Sequence, residues 1–389
     1  MDTSHGLFRD NLVIQCDEFF QLPAFQSSSA RKHIHGNQFD ILMKSPLISA
    51  DRSHKNNRRT RMKQFLKITL KAIAALTAVV VASLATTSIV NASASKSEAA
   101  RLKSYGQLVS VNGRKMNVSL QGTGPETVVL IPGAGTASPV LDFKPLITEL
   151  LPHYRVVVIE PFGYGLSEET TTERTTENIV NELHQALQTL GIDRYILMGH
   201  SIAGIYGLDF ANRFRSEVIA FVGIDNSVPN QPGMDKKFPL GALRAAKPLG
   251  LARVLVNSVG DVYAGLPYSD DDKTQIKILS QKNMLTSTYI NEIKNLEKNF
   301  VDARSQFFPH DLPVLEFIQA ENKAAEAWLP LHEEQVAGVD YGKLVPLDGQ
   351  HSLHRTLSKE IVAVLADFMT EAPKTKTRTN EVSAQFLGG

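Results

Sequence analysis

Near the middle of the chain a short apolar run, Tyr195-Ile196-Leu197-Met198, meets Gly199-His200-Ser201-Ile202-Ala203-Gly204, and a helical pattern follows through Phe214. That order is strand, sharp turn, helix, and it constrains the fold more than any other segment. A serine at such a turn carries its hydroxyl exposed at the C-terminal end of a sheet strand. Strand and helix nearly touch there, so the residues flanking the serine must be small, as Gly199, Ala203 and Gly204 are. The usual pattern is Gly-x-Ser-x-Gly, and alanine at 203 in place of the last glycine is still small. Short patterns of this kind also occur by chance, so the rest of the chain has to decide whether Ser201 is a nucleophile.

The segments around it alternate. Residues 106–111 and 114–121 read as two strands around Asn112-Gly113, a strong hairpin signal. Residues 127–131 form a continuous apolar run, as in a strand buried on both faces. A helical stretch follows, with Val140, Phe143, Leu146, Ile147 and Leu150 at helical spacing. Next come a strand over 154–160, an amphipathic helix over 176–190, the Ser201 strand and helix, and a strand over 218–224. Strands alternating with helices predict an α/β fold, a mostly parallel sheet with helices on both faces. From 226 to about 310 the alternation stops and the pattern turns helical, with Tyr289, Ile293, Leu296 and Phe300 on one stripe. Because this insertion falls between two core strands, it reads as a cap over the active-site end of the sheet. Strands resume at 313–318 and 343–347, and a helix through Ile361, Leu365 and Phe368 closes the domain at about 372.

The first third is of another character. Residues 1–61 are polar and end in the basic cluster Lys55, Arg58, Arg59 and Arg61; they are expected to be a disordered extension. Residues 62–94 read as a signal anchor or signal peptide, since the uncharged run 72–90 is roughly the 20 residues needed to span a bilayer. Met62-Lys63 reads as the natural start of such a segment, and Ala92-Ser93-Ala94 as an A-x-A cleavage site. The basic flank is expected to stay in the cytoplasm, which puts the main domain outside, either held at the cell membrane or secreted. Residues 95–104 read as a linker, 105–372 as the main domain, and 373–389 as a disordered tail. The formal charge of +1 gives no reason to expect a nucleic-acid partner. The single cysteine, Cys16, allows neither an internal disulfide nor a thiolate metal site.

A serine hydroxyl needs a base, an acid to orient that base, and N–H donors for the oxyanion that develops. The base is expected to be His351, in Asp348-Gly349-Gln350-His351, just after the last strand. His354 falls on the opening turn of the last helix, His200 is expected to line the pocket, and His310 and His332 are expected at the surface. The acid is Asp225, at the end of the 218–224 strand, or Glu321, just after the 313–318 strand, with Asp225 preferred. One oxyanion donor is the N–H of Ile202, at a helix N-terminus. The other comes from Pro132-Gly133-Ala134-Gly135-Thr136, with Ala134 the first choice and Gly135 the second. That loop lacks the lysine of a P-loop and the spacing of a dinucleotide fingerprint.

Over roughly residues 105–370 this set, together with Gly163-Tyr164-Gly165-Leu166-Ser167 and Gly349-Gln350-His351, resembles the α/β-hydrolase superfamily. The resemblance implies an eight-stranded, mostly parallel sheet with a helical cap between the sixth and seventh strands. It implies a serine hydrolase, carboxylesterase- or lipase-like, that needs no metal or organic cofactor and acts on a small-molecule ester. The membrane, through residues 72–90, is the other expected partner. Pro132-Gly133 stands where His-Gly is usual, and Asn322 lies nearest the usual acid after the seventh strand. In some members the acid follows the sixth strand instead, where Asp225 stands. Serine at the nucleophile position argues against epoxide hydrolases and haloalkane dehalogenases. Two alternatives remain: an aminopeptidase-like peptidase, with Glu292, Glu297 or Asp302 receiving a free amine, and a non-catalytic binding protein.

Overall fold

The computed structural model describes residues 51–234, 238–322 and 327–373. The expectations for residues 1–50, for Cys16 and for the tail from 374 lie outside the described residues. Eight strands form one sheet: β1 (Gln107–Val111), β2 (Arg114–Gln121), β3 (Glu126–Ile131), β4 (Tyr154–Glu160), β5 (Tyr195–His200), β6 (Val218–Ile224), β7 (Val314–Gln319) and β8 (Gly342–Leu347). Their order is β1-β2-β4-β3-β5-β6-β7-β8. β2 runs antiparallel to β1 and β4, and all other neighbours are parallel. Asn112 and Gly113 both take positive φ, 49° and 76°, which matches the right-handed twist of the hairpin they join.

The helices are α1 (Asp51–Ala99), α2 (Pro139–Asp142), α3 (Lys144–Leu150), α4 (Thr176–Thr189), α5 (Ala203–Arg213), α6 (Leu240–Ala246), α7 (Leu251–Ser258), α8 (Asp270–Asn283), α9 (Ser287–Ala303), α10 (Trp328–Ala337), α11 (Leu353–Thr356) and α12 (Ser358–Glu371). Two apolar layers flank the sheet. Along β3, Val129 and Ile131 enter the layer with α4 and α5, while Val128 and Leu130 enter the layer with α3 and α12. This is the two-residue period of a strand covered on both faces. Each fully buried Leu, Ile or Phe contributes about 1.5–3 kcal/mol, so the sheet is the stable base on which the strand ends are held.

The insertion between β6 and β7 is α6 to α9, with α8 started by a reciprocal Ser269/Asp272 capping box. The expected helix through 140–150 is broken at Phe143, because Pro145 lacks the N–H that a continuing helix would need. Helix α10 lies in a stretch for which the sequence pattern predicts nothing. The expected linker over 95–104 is helical as far as Ala99: α1 runs unbroken through the alanine-rich stretch, and Asn91, Ser95 and Glu98 on it bond to Arg253 of α7. Residues 51–61, expected within the extension, are helical as well.

Candidate active site

Between β5 and α5 the chain reverses on Ser201, whose φ of 54° lies in the left-handed region. That conformation costs a non-glycine residue about 1–2 kcal/mol, and the surroundings hold it. The Ser201 N–H donates to the Ile224 carbonyl at 3.3 Å, and the Ser201 carbonyl accepts from Ser227 N–H at 2.7 Å and Gly204 N–H at 3.0 Å. The need for small residues is visible atom by atom. A Cβ on Gly199 would stand 2.8 Å from the Ala203 Cβ, and one on Gly204 would stand 2.1 Å from the Ser227 carbonyl oxygen. Ile202 caps α5, which places its N–H among the first-turn donors that the helix itself cannot use.

Asp225 ends β6, also at a positive φ of 41°. Its Oδ2 accepts from His351 Nδ1 at 2.5 Å, and its Oδ1 accepts from the Gln319 N–H at 2.9 Å and from Trp328 Nε1 at 2.8 Å. Burial pushes this carboxyl up, but the donors from His351, Gln319 and Trp328 outweigh it and hold the group below the usual carboxylate range. Asp225 is thus a buried carboxylate aligned on the His351 ring. Glu321 is exposed in the turn after β7, and the structure does not bring it to His351. Trp328, on the unforeseen α10, has one sequence signal: a lone tryptophan carries an N–H that must find an acceptor when buried.

His200 does not line the pocket. It is fully buried, with its ring 4.7 Å from the His351 ring and 4.6 Å from that of His354, and its Nε2 donates to the His351 carbonyl at 3.2 Å. Burial and the neighbouring His354, His351 and Arg355 depress its proton affinity, so it is a neutral prop beneath His351. His354 donates to Asp142 Oδ2 at 2.8 Å, and Arg355 Nε to Asp142 Oδ1 at 2.9 Å. Burial raises the Asp142 carboxyl, but Arg355 and His354 outweigh it and bring it to about 2. His310 is exposed as expected. His332 is not: it is buried on α10, with Nε2 2.9 Å from the Asn226 carbonyl, because α10 folds back over the end of β6.

The loop after β3 is pinned from the cap. Gly135 N–H donates to the Tyr164 hydroxyl at 3.0 Å, Tyr164 donates to Glu292 Oε2 at 2.9 Å, and Tyr206 of α5 donates to Glu292 Oε1 at 2.7 Å. Gly135 therefore directs its N–H at Tyr164, while Ala134 is buried beside it. Both Glu292 oxygens are engaged by tyrosines. The loop carrying Tyr164 is fixed by Glu160, which accepts from Leu166 N–H at 2.7 Å; a Cβ on Gly165 would fall 1.9 Å from its Oε2.

A cavity of about 370 Å³ lies between this loop and α7 and α8. Leu255, Val256, Val259, Ile276 and Met284 give it an apolar wall, and Asp142 and Arg355 form a polar floor. It reaches Gly135 and Thr136 but stops short of Ser201 and His351, which are 8% and 7% exposed.

Comparison with known proteins agrees with this architecture. The family described as alpha/beta hydrolase fold matches residues 126–308. An uncharacterized protein of Bacillus subtilis strain 168, YbdG, is 26% identical over 286 residues, which is 70% of this chain and 88% of that one. Among solved structures, the epoxide hydrolase VrEH1 from Vigna radiata superposes with a TM-score of 0.55 at 21% identity, covering 68% of this chain and 97% of that chain. Cfl2 from Burkholderia cenocepacia gives 0.53 at 15% identity, covering 67% and 94%. At such identities these likenesses speak for the fold alone. With the sheet order, the cap between β6 and β7 and the serine turn after β5, they give the chain the α/β-hydrolase fold.

Proposed function

We propose that the chain is a serine hydrolase that cleaves a carboxylic ester through an acyl-enzyme intermediate, outside the cytoplasmic membrane. The observation that carries this reading is the 2.5 Å bond from His351 Nδ1 to the buried Asp225 carboxylate, on the strand next to the Ser201 turn. With Nδ1 occupied as a donor, the proton-free nitrogen of a neutral His351 is Nε2, the atom required of a general base.

In this mechanism Ser201 Oγ attacks the ester carbonyl while His351 Nε2 takes its proton. The Ile202 and Ala134 N–H groups hold the oxyanion. Asp225 stays ionised and stabilises the imidazolium, a role suited to its depressed proton affinity. His351 then protonates the departing alcohol, and water, activated by the same nitrogen, releases the acid. The apolar wall of the cavity favours an apolar acyl or alcohol group.

The peptidase reading loses its best support. Glu292, the acidic candidate nearest the site, already accepts from two tyrosines, Glu297 is exposed, and Asp302 is bound to Lys298. The test is hydrolysis of p-nitrophenyl butyrate by the full chain. Wild type should turn the ester over, and Ser201→Ala should lose at least ~10⁴-fold in kcat while keeping its circular-dichroism spectrum and melting point. A folded wild type with no activity above Ser201→Ala would sink the esterase reading and favour a binding role.

A further inference from the structure

We propose that the N-terminal helix is a retained, structural part of the cap, and that the site therefore takes amphiphilic acyl substrates from the surface of the bilayer that α1 crosses. The substrate part rests on the acyl-hydrolase reading above; the placement of the cap does not.

The argument starts from one uninterrupted helix. α1 runs from Asp51 to Ala99, roughly 70 Å at 1.5 Å per residue. It is the one helix among the described residues long and apolar enough to cross a membrane, and none of its apolar window is buried against the rest of the molecule. In the last turn of the apolar run, side chains already reach the cap. Thr87 Oγ1 donates to the Leu249 carbonyl at 2.7 Å and Ser88 Oγ to the Pro248 carbonyl at 2.8 Å. Asn91 Nδ2 reaches the Lys247 carbonyl at 3.3 Å. Two turns further on, Arg253 of α7 binds both Glu98 oxygens, at 2.6 and 2.7 Å, with Asn91 and Ser95 alongside. The approach is tight: a Cβ on Gly250 would stand 2.4 Å from the Thr87 carbonyl oxygen.

Cleavage after Ala94 would detach Thr87, Ser88 and Asn91 from the cap. Retention leaves the turn before α7 level with the outer end of the span. The next residues of α7 fit that depth, since Leu251 and Val254 are 41% and 51% exposed. The same short helix lines the cavity through Leu255 and Val256. One helix is thus both the docking face for α1 and a wall of the cavity, which puts the cavity about one helix diameter from the lipid headgroups. Exposed Lys277 on its rim suits the polar end of a molecule whose apolar part enters the cavity.

The full chain, with Cys16→Ser, is reconstituted in vesicles of four parts phosphatidylcholine to one part phosphatidylglycerol. A nitroxide label is placed at Val254→Cys or, at the opposite end of the sheet, at Asp193→Cys. The Val254 label should be shielded from a water-soluble relaxant and relaxed by oxygen, and the Asp193 label the reverse. Equal exposure of both labels to the water-soluble relaxant would overturn the placement, as would a membrane-extracted protein whose N-terminus is Ser95.

The substrate is then read as a ratio, hydrolysis of a long-chain acyl ester in the vesicles over that of p-nitrophenyl butyrate. Arg253→Ala, with Glu98→Gln as the gentler variant, should lower this ratio about tenfold and leave butyrate hydrolysis within about twofold. An unchanged ratio in both variants would overturn delivery from the bilayer. If Val254 sits at the lipid surface but neither ester is cleaved, the acyl-hydrolase reading falls and the placement of the cap stands.

Discussion

The sheet end and the cap build the site by different means. At the sheet end, Ser201 and Asp225 directly follow neighbouring strands, both with left-handed backbone, and small residues are enforced by the Ser227 carbonyl at 2.1 Å and the Ala203 Cβ at 2.8 Å. The cap holds on through side chains: Glu292 on two tyrosines, Arg253 on Glu98, and Lys144 on Asp272. Backbone-determined geometry tolerates little change and is suited to chemistry, which fails with an ångström of drift. Side-chain anchorage can be re-cut one residue at a time, and that suits the choice of substrate.

Substitutions can break this contrast. Asp225→Asn should have the largest effect, a ~10³–10⁴-fold loss of kcat on the butyrate ester, because the amide cannot hold His351 in the required tautomer. Gly204→Ala strikes the same corner through packing. Its Cβ meets the Ser227 carbonyl, and a loss of about 1–3 kcal/mol in denaturant unfolding is expected. Glu292→Gln tests the join between the two regions. It unsettles the Tyr164–Gly135 link, so kcat should fall about 10-fold with KM within about twofold.

Below the corner, Glu316 on β7 is raised by burial, against the Asn226 hydrogen bond and with a further push from Asp225, from 4.5 to about 8. A carboxyl raised on folding contributes stability that is fully present below its unfolded value and is lost as pH rises through the folded one. The melting point of Glu316→Gln, relative to wild type, should therefore climb by a few degrees between pH 5 and pH 9. A difference that stays flat with pH would show Glu316 ionised in the fold. The smallest effect is expected at Glu321→Gln, within about twofold of wild type in kcat, since this side chain is exposed away from His351.

The sheet end was the more legible region because its signals are local. The serine turn, the Asn112-Gly113 hairpin and the β3 apolar run each lie within a few consecutive residues. His351 follows from its place after the last strand. For the acid the sequence leaves two carboxylates, with Asp225 preferred over Glu321, since both follow strands and only tertiary packing sets which one faces His351. The cap gave a helical pattern and little else. Glu292 and Tyr164 are 128 residues apart in sequence, and Trp328 and Asp225 are 103 apart. Nothing in either neighbourhood announces its partner. Two histidines show the same limit: His332, expected at the surface, and His200, expected to line the pocket, are both fully buried, and only tertiary packing shows it.

The bond from Trp328 to Asp225 has a practical consequence. The sequence contains one tryptophan, and its indole N–H rests on the carboxylate that orients His351. Tryptophan emission from the unlabelled protein therefore originates beside Asp225 and can be followed in real time. Protonation of the carboxylate, loss of the imidazole or acylation of Ser201 would each be read as a change in the colour and yield of a single native fluorophore.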